Sequence, residues 1–486
     1  MRRALRAAAL AAALLVAGCG GGGGDRPPAP ASPTPAPPTV SAMPAPTAGD
    51  DAANPFGAHW DWSRYDQFSA YLRQLAGSAT YHELSWCDIE RAQGQPDWSA
   101  VDRIAQRTRD LGITLNLKIR IGTCWATGGT AQHTRGEANK TESRMPQNLD
   151  AYQAFVRSVV ARYTPYGVRQ YAVENEVNAP QYWAGSPEDY ARLVRAAATA
   201  VHAADPQARV VDSGISSVAY GFGIVDRLLQ DGRADEAVAA YQAYFQRRVG
   251  TRGQKIPAVQ DVARLRKALA NEANVRNVAF VAATDQLIEA GVVQVRQVHF
   301  YEHVDGVPVL LDYLKARTPA GVPVEAWEVG QFWRDGADDA AGRAAEMVKV
   351  VCQLVAGGVR QAMWLPLAYN PNNRAGSEVR YGLLDPDGAE REAGRMMAAL
   401  VAASRGSSVT PVSAGGLTGV AFARAGETDV VLWSATGAEV TVSGVSDLGG
   451  GPVGAPAPAA GQVRVGAAPV LLRSGRPLAD VLAALR

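Results

Sequence analysis

The chain has 486 residues, 48 Lys and Arg against 47 Asp and Glu, a formal net charge of +1 and 47% hydrophobic residues. That is ample apolar material for a large core, and a near-neutral balance without basic runs or a basic–aromatic stripe excludes nucleic acid as the expected partner. The four cysteines and six histidines show no metal-ligand spacing and no glycine-rich phosphate loop follows the first strand, so neither a metal nor a cofactor is expected.

Residues 1–18 read as a targeting segment. Arg2, Arg3 and Arg6 precede an apolar run that ends in Leu15-Val16-Ala17-Gly18-Cys19. The pattern resembles a bacterial lipoprotein signal, which implies cleavage before Cys19 and lipidation of its sulfur. The run is too short for a comfortable membrane span. Secretion with cleavage at another small-residue site is the alternative. The resemblance implies a membrane-anchored lipoprotein of the cell envelope. Gly20 rather than Asp after the cysteine points to the outer membrane, facing periplasm or exterior. Residues 19–53 are mostly Gly, Pro, Ala, Thr and Ser, a composition that cannot bury a core and predicts a disordered, extended tether.

From 54 to 405, short apolar runs alternate with amphipathic helical patterns, which predicts repeated βα units around a parallel sheet. Strands are expected near 55–60, 79–86, 113–121, 169–176, 208–213, 294–301, 322–328 and 359–365. The third is clearest, since Ile113, Leu115, Leu117, Ile119 and Ile121 alternate with Thr114, Asn116, Lys118 and Arg120. Later, Ser186-Pro187-Glu188-Asp189 offers an N-cap, a first-position proline and first-turn acids for a helix. The whole fits an α/β fold, a (β/α)8 TIM barrel with a helix-rich insertion at about 220–290. A doubly wound open sheet is the rival, and the missing glycine-rich loop counts against it. Residues 406–486 change character to short β runs separated by turns, which predicts a small all-β, sandwich-like accessory domain.

Cys87 follows the second strand and Cys124 the third. A disulfide between neighbouring strand ends and two unlinked, half-buried thiols are both open. Cys352 lies in an apolar helical pattern and reads as a packed small hydrophobe. His299 and His303 are four apart but straddle a strand end, which does not give helical zinc-binding geometry.

Two stretches carry the chemistry. YAVENEVN contains Asn175 and Glu176, and PVEAWEVG contains Glu328. Each glutamate closes an apolar strand and precedes loop-type residues. Two carboxylates at strand ends of one barrel can face each other across a cleft and serve as acid/base and nucleophile of a glycosidase. Glu174 and Glu325 are the local rivals. Trp60, Trp62, Trp86, Trp125, Trp183, Trp333 and Trp364 all fall at or just beyond predicted strand ends, where indoles could stack on sugar rings. Their grouping predicts an oligosaccharide cleft. His59, His82 and His299 are candidate sugar hydrogen-bonders, with a satisfied core histidine as the alternative for each.

Over roughly residues 54–475 the chain resembles the clan A glycoside hydrolases, most closely family 39 and its exopolysaccharide-associated relatives. The resemblance rests on Asn175-Glu176 with Asn178, on Glu328-Val329-Gly330, and on echoes at Trp86 and Glu90, Tyr301 and Trp364. It implies a retaining glycosidase acting on a polysaccharide or oligosaccharide, with Glu176 as acid/base and Glu328 as nucleophile. Asn175 would hydrogen-bond the sugar 2-OH, Tyr301 would orient Glu328, and Trp364 and Trp125 would contact substrate. The chain departs from the clan where an arginine on the second strand is replaced by Tyr81; Arg120 on the third strand could substitute. A non-catalytic carbohydrate-binding lipoprotein is the alternative function. An esterase lacks support because no Gly-x-Ser-x-Gly elbow is present.

Overall fold

The computed structural model describes residues 54–485 except 61, 136–139, 252–254, 334–338, 374–376, 444–446 and 456–460. Cys19 and the 19–53 segment lie outside the described residues.

Eight parallel strands form the barrel: β1 (Phe56–Ala58), β2 (Ala79–Ser85), β3 (Thr114–Arg120), β4 (Gln170–Val173), β5 (Arg209–Val211), β6 (Arg296–Phe300), β7 (Val324–Val329) and β8 (Val359–Trp364). They pair as β2-β3-β4-β5 and as β1-β8-β7-β6. Bridges from Val211 to Val295 and from Ile215 to Val298 join the two halves on one side. On the other side β1 nears β2 so closely that a Cβ on Gly57 would lie 2.3 Å from the Ala79 carbonyl oxygen, so only glycine fits there. The fold is the expected (β/α)8 barrel, and each strand falls where the apolar runs place it.

The alternation in β3 has an unusual meaning. Leu115, Leu117 and Ile119 belong to the main apolar core. Asn116, Lys118 and Arg120, on the opposite face, are equally inaccessible to solvent. The strand's polar face therefore points into the barrel rather than to water.

Between β5 and β6 run four helices, Ser217–Gln230, Ala234–Phe245, Val262–Leu269 and Glu272–Glu289. The last two start at Asp261 and Asn271, whose side chains accept from the backbone N–H groups of Arg264 and Ala273. The helix Pro187–Ala204 begins at the anticipated N-cap Ser186, which forms a capping box with Asp189. Cys87 and Cys124 are disulfide-bonded, with Cα atoms 5.7 Å apart, which ties the loop after β2 to the loop after β3. Cys352 is free and buried.

Beyond the barrel, β9 (Ser408–Ala414), β10 (Leu417–Arg424), β11 (Glu427–Ser434), β13 (Gly449–Pro452) and β15 (Val470–Ser474) form an antiparallel sheet in the order β9-β10-β11-β15-β13. The short strands β12 (Val440–Val442) and β14 (Val463–Val465) pair separately. Val420, Phe422, Val431 and Trp433 face the barrel and share its core. Phe422 meets Phe56 edge-on at 5.7 Å. Ala421, Val430 and Leu432 face the other way, into a second core with Val481 of the final helix, Leu478–Ala484. Among the described residues, no helix is long and apolar enough to cross a membrane.

Candidate active site

Glu176 follows β4 and Glu328 is the penultimate residue of β7. Both open onto a cavity of about 1050 Å³ at the C-terminal end of the barrel, the end where loop residues of such barrels assemble sites. One donor atom each of Glu176, His299 and Glu328 lies within 4.8 Å of the others. Backbone geometry turns Glu176 inward. Glu174 and Glu176 have φ of 68° and 40°, a left-handed region that costs side-chain-bearing residues about 1–3 kcal/mol each and persists only where surroundings enforce it.

Glu328 is held on every side. The hydroxyl of Tyr81 donates to Oε1 at 2.9 Å and Lys118 Nζ donates to the same oxygen at 2.7 Å. The Tyr301 hydroxyl donates to Oε2 at 2.9 Å. His299 Nδ1 lies 3.3 Å from that oxygen and 2.9 Å from Glu176 Oε1. Burial alone would raise the pKa of Glu328. The charges of His299 and Lys118, with the hydrogen bonds from Lys118 and Tyr81, outweigh it and hold the carboxyl well below the usual carboxylate range. Burial and the neighbouring Glu328 push the hydroxyls of Tyr81 and Tyr301 far up, so both remain donors.

Lys118 also donates to Asn175 Oδ1 at 2.6 Å. This fixes the amide and leaves Nδ2 as the group able to donate to a ligand. His59 lines the cavity, its ring stacked on Tyr81 at 4.0 Å and its Nδ1 2.9 Å from the Tyr81 carbonyl oxygen. Burial lowers its pKa to about 4, so it is neutral near pH 7. Glu176, His299 and Glu328 are close enough to share a cation. Lys118 Nζ, 2.7 Å from Glu328 and 3.3 Å from His299 Nε2, already supplies positive charge there and would repel a second one.

Several sequence expectations land elsewhere. Trp364 is buried, with its indole N–H donating to the Tyr381 carbonyl at 3.3 Å, and it does not line this cavity. Trp125 donates to the Glu90 carbonyl at 2.7 Å and packs edge-on against Trp86. No tryptophan lines the cavity among the described residues; its aromatic wall is Tyr81, Tyr182, Tyr301 and Phe332. A strand-end position fixes height along the barrel but not the direction of the side chain, and these indoles fill space between strand tips and loops. His82 alternates away from its neighbours Tyr81 and Glu83, which line the cavity while it does not. Arg120 does not reach Glu328. It lies 3.4 Å from Glu83 and 3.5 Å from Glu174 and donates to the Thr141 and Tyr182 carbonyls.

The rival acids are spoken for. Glu174 accepts from the Ile121 N–H at 2.9 Å, and burial pushes its pKa up to about 7. Glu325 accepts from Gln170 and Trp327 in the barrel interior. Neither lines the cavity. Sequence reasoning passed over Lys118. The signal was available: a lysine on the polar face of a strand whose barrel setting leaves no water-facing side.

This (β/α)8 architecture is shared with solved glycoside hydrolases of families 39 and 30. The chain is similar in structure to a family 39 glycoside hydrolase from Bacteroides cellulosilyticus WH2, with 14% identity, TM-score 0.59, and 88% of this chain and 82% of that one covered. A family 39 β-xylosidase from Caulobacter crescentus superposes with TM-score 0.56 at 16% identity over 89% of this chain and 98% of that one. A family 30 endoxylanase from Clostridium papyrosolvens C71 gives TM-score 0.52 at 13% identity, covering 89% and 98%. No family sequence profile and no curated protein sequence matches the chain.

Proposed function

We propose that the protein is a retaining glycoside hydrolase acting on a polysaccharide or oligosaccharide. One observation carries this reading: carboxyl oxygens of Glu176 and Glu328 approach within 4.8 Å across an open cavity. Retaining enzymes place their carboxyl groups about 5–5.5 Å apart, whereas inverting ones need roughly 6.5–9.5 Å to admit a water.

In this reading Glu328, kept ionised by Lys118 and the two tyrosines, attacks the anomeric carbon. Glu176 gives its proton to the departing glycosidic oxygen as the C–O bond breaks. The resulting carboxylate of Glu176 then takes a proton from water, which attacks the same carbon and frees Glu328. In the same reading Asn175 Nδ2 binds the hydroxyl beside the reacting carbon. The cavity takes its stacking surface from tyrosines and one phenylalanine. Lys140, Arg120 and Arg135 act together on the single carboxylate of Glu83 at one wall, so acidic glycans belong in the test as well as neutral ones. We further propose that the chain is a cell-envelope lipoprotein anchored through Cys19; the N-terminal mass of detergent-extracted protein, and its change in Cys19→Ser, tests this.

The deciding experiment is a screen of purified neutral and acidic polysaccharides with NMR of the first-formed anomer. Retained configuration, lost in Glu176→Gln and Glu328→Gln, is the expected result. Binding without any hydrolysis would replace the enzyme with a carbohydrate-binding lipoprotein, and inverted product would reject double displacement.

A further inference from the structure

The insertion between β5 and β6 reaches back to the loop that carries Glu176. Arg276, on the helix Glu272–Glu289, directs its guanidinium into that loop. Its Nε donates to the Asn178 carbonyl at 2.9 Å. Its Nη2 donates to the carbonyls of Val177 at 3.1 Å and Trp183 at 2.9 Å, and Nη1 to that of Gly185 at 3.3 Å. Four carbonyls of one loop thus converge on one planar cation, with its far side over the Phe280 ring at 4.5 Å. The next residue along the helix adds a second tie. Asn277 Oδ1 accepts from Asn178 Nδ2 at 2.9 Å, and the same amide group donates to Ser216 Oγ at 2.9 Å.

The loop needs such a restraint. Glu176 sits at a positive φ, from which a side-chain-bearing residue relaxes unless its neighbours forbid it. The backbone N–H of Glu176 donates to the Ser213 carbonyl at 3.1 Å, which fixes only the strand side. On the far side the Glu176 carbonyl accepts from the Ala179 N–H at 2.8 Å within the loop itself, and Arg276 and Asn277 tie the next two residues, Val177 and Asn178, to the insertion. A guanidinium suits this task because its donors form a rigid fork.

We infer that Arg276, with Asn277, is a positioning residue that holds the carboxyl of Glu176 at the leaving oxygen, so that the insertion is part of the acid/base machinery. This rests on the proposed role of Glu176. The inference sets a sharp expectation. Proton donation matters most for substrates whose leaving group is a poor one, and little for activated glycosides. A displaced acid therefore lowers kcat/KM selectively, whereas general loss of folded protein lowers it equally for both.

The test compares alkyl and 2,4-dinitrophenyl glycosides of a sugar that the wild type releases. In Arg276→Ala, kcat/KM for the alkyl glycoside should fall at least about tenfold further than for the dinitrophenyl glycoside, a fraction of the 10²–10⁴ that general acid catalysis supplies. Added azide should raise kcat on the dinitrophenyl glycoside, by replacing the water that a misplaced base no longer activates. Asn277→Ala should show the same selectivity at smaller size, and it carries the test if Arg276→Ala does not fold. Arg276→Lys, which keeps the charge but not the fork, should fall between Arg276→Ala and wild type. An equal fall for both substrates, or no fall in either, overturns the clamp. A wild type that cleaves neither glycoside, or a Glu176→Gln variant without the leaving-group selectivity, overturns the reading of Glu176 and the clamp with it.

Discussion

Strands β3 and β11 are both buried on both faces, yet they do different work. In β11, Val431 and Trp433 join the barrel core while Val430 and Leu432 join the outer one. At these four positions both faces are apolar, and the side chains are held by packing. In β3, Leu117 and Ile119 pack outward, while Lys118 and Arg120 turn inward and are almost wholly inaccessible. A buried charge is tolerated only when it is paired and hydrogen-bonded. Lys118 meets that requirement with Glu328 and Asn175, and Arg120 with Glu83, Glu174 and loop carbonyls. Equal burial thus gives stability in one region and controlled electrostatics in the other. Substitutions in the first should change stability without chemistry, and those in the second should change chemistry.

The largest effects should fall on the glutamate pair. Glu328→Gln should lower kcat by more than about 10⁴-fold, as removal of a nucleophile does. Glu176→Gln should cost about 10²–10⁴-fold on poor leaving groups. Circular dichroism should find both variants folded. Azide products sharpen the assignment. Glu176→Gly should yield the glycosyl azide with the substrate's anomeric configuration and Glu328→Gly the inverted one, and the reverse pattern would exchange the two roles.

On the apolar side, Phe422→Ala removes a ring packed on Phe56 and should destabilise by about 3–5 kcal/mol. Denaturant unfolding measures this. The folded fraction should keep the wild-type pH profile, and an altered profile would break the comparison.

The disulfide stands between the two cases, since it staples the segments that follow β2 and β3. Cys87→Ala/Cys124→Ala should lose about 3–4 kcal/mol through the freed loop of the unfolded chain. Thermal unfolding with and without reductant tests this, and reductant should not affect the variant.

The smallest free-energy change is also the most informative. Lys118 lowers the pKa of Glu328, and Glu328 must be ionised to attack. Activity is therefore present above that pKa and is lost as pH falls through it. Lys118→Met raises the pKa, so the acid limb of kcat/KM should move to higher pH by about one to three units. An unmoved acid limb would show that Lys118 serves packing rather than the charge of Glu328.

Local periodicity made the barrel legible. The eight strands fall at short apolar or alternating stretches between helical patterns, and Ser186-Pro187-Glu188-Asp189 marked a helix start from four consecutive residues. Glu176 and Glu328 stood out because each closes such a run. The cavity wall was less legible. Seven tryptophans at strand ends suggested an indole-lined cleft, but the ends of eight strands offer inward, outward and loop-filling directions at the same height. Tyr81 was noticed only as a missing arginine, and its hydroxyl proves to donate to Glu328 at 2.9 Å.

What the sequence determined by itself was therefore one-dimensional: the order of strands and helices, the change to a β-rich region after the barrel, and the height of two carboxylates along it. These follow from residues within a few positions of one another. The tertiary structure decided which groups surround those carboxylates. Lys118 and Glu328 are separated by 210 positions and His299 and Glu176 by 123; Arg276 and the loop carbonyls it grips are 91 to 99 apart. Barrel closure brings such residues within hydrogen-bond reach. Their pairing depends on strand neighbours and side-chain direction, which no local pattern of residues encodes.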